Sequence, residues 1–258
     1  IRYALNGTDK DATVLANNYS GNVVIPESIQ YSDENYSVTA IGKKAFKDCL
    51  NLSSITIPES VTSIGYYAFE NCTDLTEVTI PNSVTNISEG AFSGCSGLTS
   101  VTISNSVTEI GAMAFNGCSN ITSITIPELV TNIGAAAFYN CRGLTTVTIP
   151  NSVTSIGEGA FSGCSSLTKI TLPFVGDKAE HAPEEELYPF GYIFGKTNYT
   201  DGVATQQPYY CRSDMSNGFY SATFYIPASL KDVVITGSSI TARAFYNCTG
   251  LTSVTISN

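Results

Sequence analysis

An alanine–phenylalanine pair recurs along this chain at a fixed step. Phe46, Phe69, Phe92, Phe115, Phe138 and Phe161 stand 23 residues apart, and Cys49, Cys72, Cys95, Cys118, Cys141 and Cys164 keep the same interval. A constant period of this length is the mark of a solenoid, in which each unit buries its apolar face only against its neighbours. A core assembled from distant elements would have no reason to hold one spacing. The unit to explain is therefore a single rung.

Each rung carries a segment of the form L-x-x-(V/I)-x-I, such as Leu75, Val78 and Ile80 or Leu144, Val147 and Ile149. Its alternating β-branched residues predict a short strand with one face inward. No hairpin separates successive strands, so they must stack in parallel, about 4.8 Å apart. Proline commonly follows the last Ile (Pro58, Pro81, Pro127, Pro150, Pro173) and stops the strand, because it has no N–H to donate. A V-T-x-I segment, as in Val153 to Ile156, then predicts a second short extended piece on the same core. Gly42, Gly65, Gly111, Gly134 and Gly157, replaced by Ser88 in one rung and Thr241 in the last, read as helix N-caps. Asp48, Asn71, Gly94, Gly117, Asn140, Gly163 and Asn247, before each Cys, read as left-handed closing residues. About one helical turn is expected between the two, carrying Ala-Phe into the core. The expected fold is an α/β solenoid of parallel-stacked 23-residue repeats.

The joint spacing V-T-x-I-G-x-x-A-F-x-x-C-x-x-L-T-x-(V/I)-T-I-P-x-S resembles the BspA-type leucine-rich repeats, found in surface and secreted proteins of host-associated anaerobic bacteria and some parasitic protists. The resemblance covers residues 38–172 and returns at about 230–257. It departs from the pattern at Ser104 and Thr236, which stand in proline positions. It implies a curved, non-catalytic solenoid at the cell surface, used for adhesion and protein binding.

Along the chain, residues 1–37 are expected to form an N-terminal cap and a degenerate first rung: Ile1, Tyr3 and Leu5 alternate, and "NGTDKD" leads to a returning arm at Thr13 to Leu15. Regular repeats fill 38–172, an aromatic-rich insertion 173–229, and the final repeats 230–258, all in one solenoid. Leu167 opens a turn that closes only at Leu230, 63 residues later. The last rung has no polar cap, so either further repeats or another domain is expected after it, or the exposed rung meets a partner end to end. The start at Ile1 without a signal segment points to an excised or mature piece of an extracellular or surface protein.

A net charge of −10 argues against nucleic acid or an anionic membrane as partner, and no apolar run is long enough to cross a bilayer. Seven of the eight cysteines share one column, where side chains of in-register neighbours point in parallel, so buried free thiols are expected rather than disulfides. No cysteine pair has C-x-x-C spacing and His181 is the lone histidine, so neither a metal nor another cofactor is expected. With no Ser-His-Asp set or identifiable carboxylate pair, no catalytic residue is assigned and no enzyme is expected.

Two surfaces could bind a protein or glycan ligand. The first is the outward strand face: one column of Thr76, Thr99, Thr122, Thr145 and Thr168, another of Thr79, Thr102, Thr125 and Thr148, and between them a variable column that includes Glu77 and Lys169. These hydroxyls suit a solvated strand; an ice- or glycan-binding array is the sharper alternative. The second is the insertion, with Tyr188, Tyr192, Tyr199, Tyr209, Tyr210 and Tyr220. Aromatic side chains are enriched at interfaces, yet they equally serve to hold an insertion onto its scaffold. A passive spacer that presents another domain is the remaining reading.

Overall fold

The computed structural model describes residues 1–176, 189–210, 219–240 and 243–257. Nine short strands make one side of a parallel stack: Gly21–Val24, Leu52–Thr56, Glu77–Thr79, Ser100–Thr102, Ser123–Thr125, Thr146–Thr148, Lys169–Phe174, Asp232–Ser239 and Ser253–Ile256. Pairing is residue for residue, with Ser123 beside Thr146 and Thr146 beside Lys169. Leu75, Val78 and Ile80 point inward and are buried, while Thr76, Glu77 and Thr79 are exposed. Two-residue strands at Ser63–Ile64, Asn86–Ile87, Glu109–Ile110, Asn132–Ile133 and Ser155–Ile156 form the second side, also parallel. The architecture is thus a parallel-stacked repeat solenoid.

Among the described residues the expected helical turn is absent. Each Ala-Phe unit is instead carried by successive tight turns: in the first regular rung Ala45 N donates to Gly42 O and Cys49 N to Phe46 O, both at 3.1 Å. A left-handed residue stands third in each, Lys44 at φ 58° and Asp48 at φ 59°, the geometry of a type II turn. The second of these positions follows the expectation for the residue before Cys; the first does not. These turns also stack, since Phe115 N donates to Ala137 O of the next rung at 2.8 Å. With no helix to cap, the conserved spacing of glycine has another cause: a Cβ on Gly42 would lie 2.7 Å from Val14 O, and one on Gly111 2.7 Å from Ile87 O. Glycine is there because neighbouring backbones touch. Ser88 fills the same position and donates its hydroxyl to Ile64 O of the preceding rung. Thr241 lies outside the described residues.

Inside, the phenylalanines form one column. Ring centroids from Phe46 to Phe161 are 4.9–5.6 Å apart and within 9° of parallel, and Tyr19 begins the column 4.7 Å from Phe46. Cysteine occupies its position for a reason that hydrophobicity alone does not supply. Cys72, Cys95, Cys118, Cys141 and Cys164 each donate the thiol to the carbonyl of the Phe in the preceding rung at 3.0–3.2 Å. That carbonyl also accepts the backbone N–H of its own rung's Cys, so both of its lone pairs are engaged. All seven described cysteines are free; six are buried and Cys248 is half-buried. Cys211 lies outside the described residues.

At the N-terminus, Tyr3–Asn6 and Asp11–Val14 form an antiparallel hairpin, and Asp11–Val14 pairs onward with Glu34–Ile41. Gly21–Val24 lies parallel to Leu52–Thr56. The excess around "QYSDENY" is a second hairpin, Ser28–Tyr31 with Glu34–Ile41, whose two-residue turn places Ser32 and Asp33 at positive φ.

Between Leu167 and Leu230 the chain makes one enlarged rung. Lys231 N donates to Thr168 O at 3.0 Å, as Thr168 N does to Thr145 O at 2.8 Å, so Leu230 sits one rung beyond Leu167. The rung's Ala-Phe turn is supplied by the 3-10 segment Phe190–Phe194, with Phe161 N donating to Ile193 O at 2.8 Å. A long hairpin, Gly202–Tyr210 against Phe219–Pro227, follows. The "YIP" that resembles a rung's strand end belongs to this hairpin, because Ile226 pairs antiparallel with Val203.

Candidate functional site

The strand face brings Thr76, Thr99, Thr122, Thr145 and Thr168 into one exposed column and Thr79, Thr102, Thr125 and Thr148 into another, with Glu77 and Lys169 exposed between them. The two threonine columns differ in chemistry. Thr99, Thr145 and Thr168 donate their hydroxyls to the carbonyls of Thr76, Thr122 and Thr145 at 3.2, 3.2 and 3.0 Å. Those hydroxyls serve the stack. The hydroxyls of Thr79, Thr102, Thr125 and Thr148 have no side-chain hydrogen bond among the described residues, and they face solvent.

A groove of about 310 Å³ opens on this face, lined by Ser123, Thr125, Glu128, Thr146, Thr148 and Pro150. Glu128 was not among the residues that the strand pattern singles out. It stands directly after the strand-ending Pro127, outside the alternation, and its rim position follows only from how the turn folds back. The groove holds hydroxyls, one carboxylate and the apolar edges of Ile124 and Val147.

Among the described side chains of the insertion, several aromatic rings are buried as anchors. Phe174, Phe190, Phe194 and Phe224 are fully buried, and Phe190 lies 5.2 Å from Phe194 and 4.9 Å from Phe245, carrying ring contact on to the next rung. Tyr192 is half-buried against the core. Tyr199 donates its hydroxyl to Tyr225 O at 2.8 Å, and burial raises its pKa. Tyr209 and Tyr220 are register partners in the hairpin, with Tyr210 next in the same strand. Tyr188, His181, Asp177 and Glu184 to Glu186 lie outside the described residues.

A residue that no pattern marked holds this insertion down. Gln207 is fully buried; its Oε1 accepts from Gly191 N at 2.7 Å, and its Nε2 donates to Ala244 O and Tyr246 O at 3.1 and 2.9 Å. The amide links hairpin, 3-10 turn and final rung, and gives the buried N–H of Gly191 its acceptor. An isolated glutamine outside the repeat gives no signal of this in a single sequence.

Burial works against ionisation in the deepest thiols of the column. Burial pushes Cys118 and Cys164 well up and Cys141 to about 12, so the thiolate form is suppressed. Tyr67 is pushed up to about 12, chiefly by its hydrogen bond to Glu89. Among the described residues, no three His, Cys, Asp or Glu side chains are grouped to hold a metal ion, and no helix is long and apolar enough to cross a membrane.

Comparison with known proteins places this geometry. A search of curated proteins found no match. Among solved structures, a leucine-rich repeat protein from Bacteroides ovatus is 27% identical, with a TM-score of 0.67 over 100% of this chain and 70% of that one. A leucine-rich cell surface protein from Faecalibacterium prausnitzii is 26% identical, with a TM-score of 0.53 over 99% of this chain and 74% of that one. A leucine-rich repeat protein of T. pallidum shares the fold at 20% identity and a TM-score of 0.51, over 97% of this chain and 87% of its own. The family description "BspA type leucine rich repeat region" matches residues 39–168 and 217–258 in six copies. With two-thirds of its length matched, this chain belongs to the BspA-type leucine-rich repeat family.

Proposed function

We propose that the chain is a non-catalytic binding module of a secreted or cell-surface protein, which takes a protein or glycan ligand on its strand face. The observation that carries this reading is the column Thr79, Thr102, Thr125 and Thr148, whose exposed hydroxyls the fold does not use, running beside a groove with Glu128 at its rim. A repeat scaffold presents such a column over many rungs, which suits an extended partner. The similarity to a cell surface protein supports the location.

Two other readings differ in what they require of this face. A passive spacer is favoured by the hydroxyls of Thr99, Thr145 and Thr168, which already serve the stack. An ice-binding array needs one regular lattice, and the strand ladder is interrupted between Ser100–Thr102 and Ser123–Thr125, which weighs against it.

An array of glycans and host matrix proteins, probed with the soluble chain, tests the main reading. The expected result is a ligand that the Thr125→Arg/Thr148→Arg variant no longer binds. A ligand that this variant still binds would move the site off the strand face. Failure of every spot would leave the spacer as the better account.

A further inference from the structure

We infer that a second, separate site lies at the root of the long rung, and that it binds a short neutral oligosaccharide. After the 3-10 turn Phe190–Phe194 the chain does not follow the rung beneath it but runs through residues 195–201 toward the hairpin. Two clefts flank this segment on the turn side of the solenoid. One, of about 300 Å³, is lined by Ala135, Tyr139, Glu158, Lys196 and Thr197 among others. The other, of about 180 Å³, is lined by Asn140, Arg142, Ser165, Thr200 and Asp201. Tyr139 and Asn140 are consecutive, so the two clefts share a wall.

The chemistry of these walls selects the ligand. Charges balance: Glu158 and Lys196 stand 3.8 Å apart in the first cleft, and Arg142 and Asp201 line the second. An anionic or cationic ligand would find no net field to favour it. A sugar offers many hydroxyls, each both donor and acceptor, and these match carboxylate, guanidinium, amide and hydroxyl groups together. The half-buried ring of Tyr139, beside Ala135 and Ala136, supplies apolar surface for the C–H face of a pyranose. A few polar groups set around an apolar patch is the usual composition of a small-molecule site.

The wall formed by the insertion is pre-set. Tyr199 is tied to Tyr225 O at 2.8 Å, Gly202 N to Tyr199 O at 3.0 Å and Ala228 N to Asp201 O at 2.8 Å. Gly195, at φ 71°, seats against Gly159 so closely that a Cβ would lie 3.1 Å from its Cα. Binding there orders little that is not already ordered. The site is remote from the strand face, and its existence does not depend on a ligand there.

Amide NMR of the labelled chain, titrated with maltotriose, cellotriose, triacetylchitotriose and sialyllactose, tests this. The expected result is saturable shifts at Tyr139, Asn140, Arg142, Thr197 and Thr200 with at least one of the three neutral sugars. Affinity should fall by about tenfold or more, one factor of RT ln 10, in Arg142→Ala and in Tyr139→Ala. The Thr125→Arg/Thr148→Arg variant should bind as the parent does, which separates this site from the strand face. Arg142 is exposed, so its variant retains the fold even if that of Tyr139 does not. Silence with all three neutral sugars, shifts with sialyllactose alone, or undiminished binding by Arg142→Ala would overturn the inference.

Discussion

Replacing Cys118 by alanine and following stability with pH tests how the thiol column is held. An ordinary thiol loses its proton near 9.0, but burial holds Cys141 to about 12 and Cys118 and Cys164 well above 9.0. Cys72 is also raised, first by its side-chain interaction with Cys95 and then by burial. The folded values lie above the unfolded one, so the stability these thiols contribute is fully present below pH 9 and is lost as pH climbs toward 12. The unfolded chain sheds protons there that the native chain keeps. One unit above 9.0, each such thiol costs on the order of 1 kcal/mol. Urea unfolding of parent and Cys118→Ala from about pH 7 to 10.5 reads the effect of one thiol. The difference in unfolding free energy should be flat below about pH 8, begin to change near pH 9 and steepen toward about 1.4 kcal/mol per pH unit by about pH 10, the parent losing more. A difference that stays constant up to pH 10.5 would mean that Cys118 ionises in the folded state, and the thiol-to-carbonyl ladder would be refuted.

Two substitutions probe the rung more directly. Phe115→Ala removes a fully buried ring that stacks 5.5 Å from Phe92 and 5.6 Å from Phe138, and should cost about 3–5 kcal/mol in urea unfolding. Gly111→Ala places a Cβ 2.7 Å from Ile87 O and 2.8 Å from Glu89 N. It should cost about 1–3 kcal/mol in urea unfolding.

Much of this fold is legible because a solenoid repeats its own evidence. One L-x-x-V-x-I segment is a weak strand signal, but several in step leave only parallel stacking. The turn's geometry is hidden from the sequence for a physical reason. Its first left-handed position is filled by Lys44, Tyr67, Met113 and Ala136 as well as by Gly90 and Gly159, and such side chains carry no mark of positive φ. Stacking hydrogen bonds to the neighbouring rung hold them there, an influence that lies outside the local sequence. The glycine before each turn was assigned a local role when its constraint comes from a chain 23 residues away. On the candidate face, alternation finds the exposed threonines but cannot say which hydroxyls the preceding rung consumes. Glu128, Arg142 and Gln207 lie off the repeat's alternation, and their neighbours are set by tertiary contact.

Whether the stack runs unbroken through the long rung decides both the fold and the extent of the face offered to a ligand. Asp232–Ile235 lies in register beside Lys169–Leu172 and is covered on its other side by Ser253–Ile256. Hydrogen exchange of the native chain measures this directly. Amides of Val233 to Ile235 should exchange as slowly as those of Ile170 to Leu172, since both pairs of strands open only with the stack. Exchange of 233–235 at the rate of an exposed loop, with 170–172 still protected, would show that the solenoid ends before the insertion and would contradict the account.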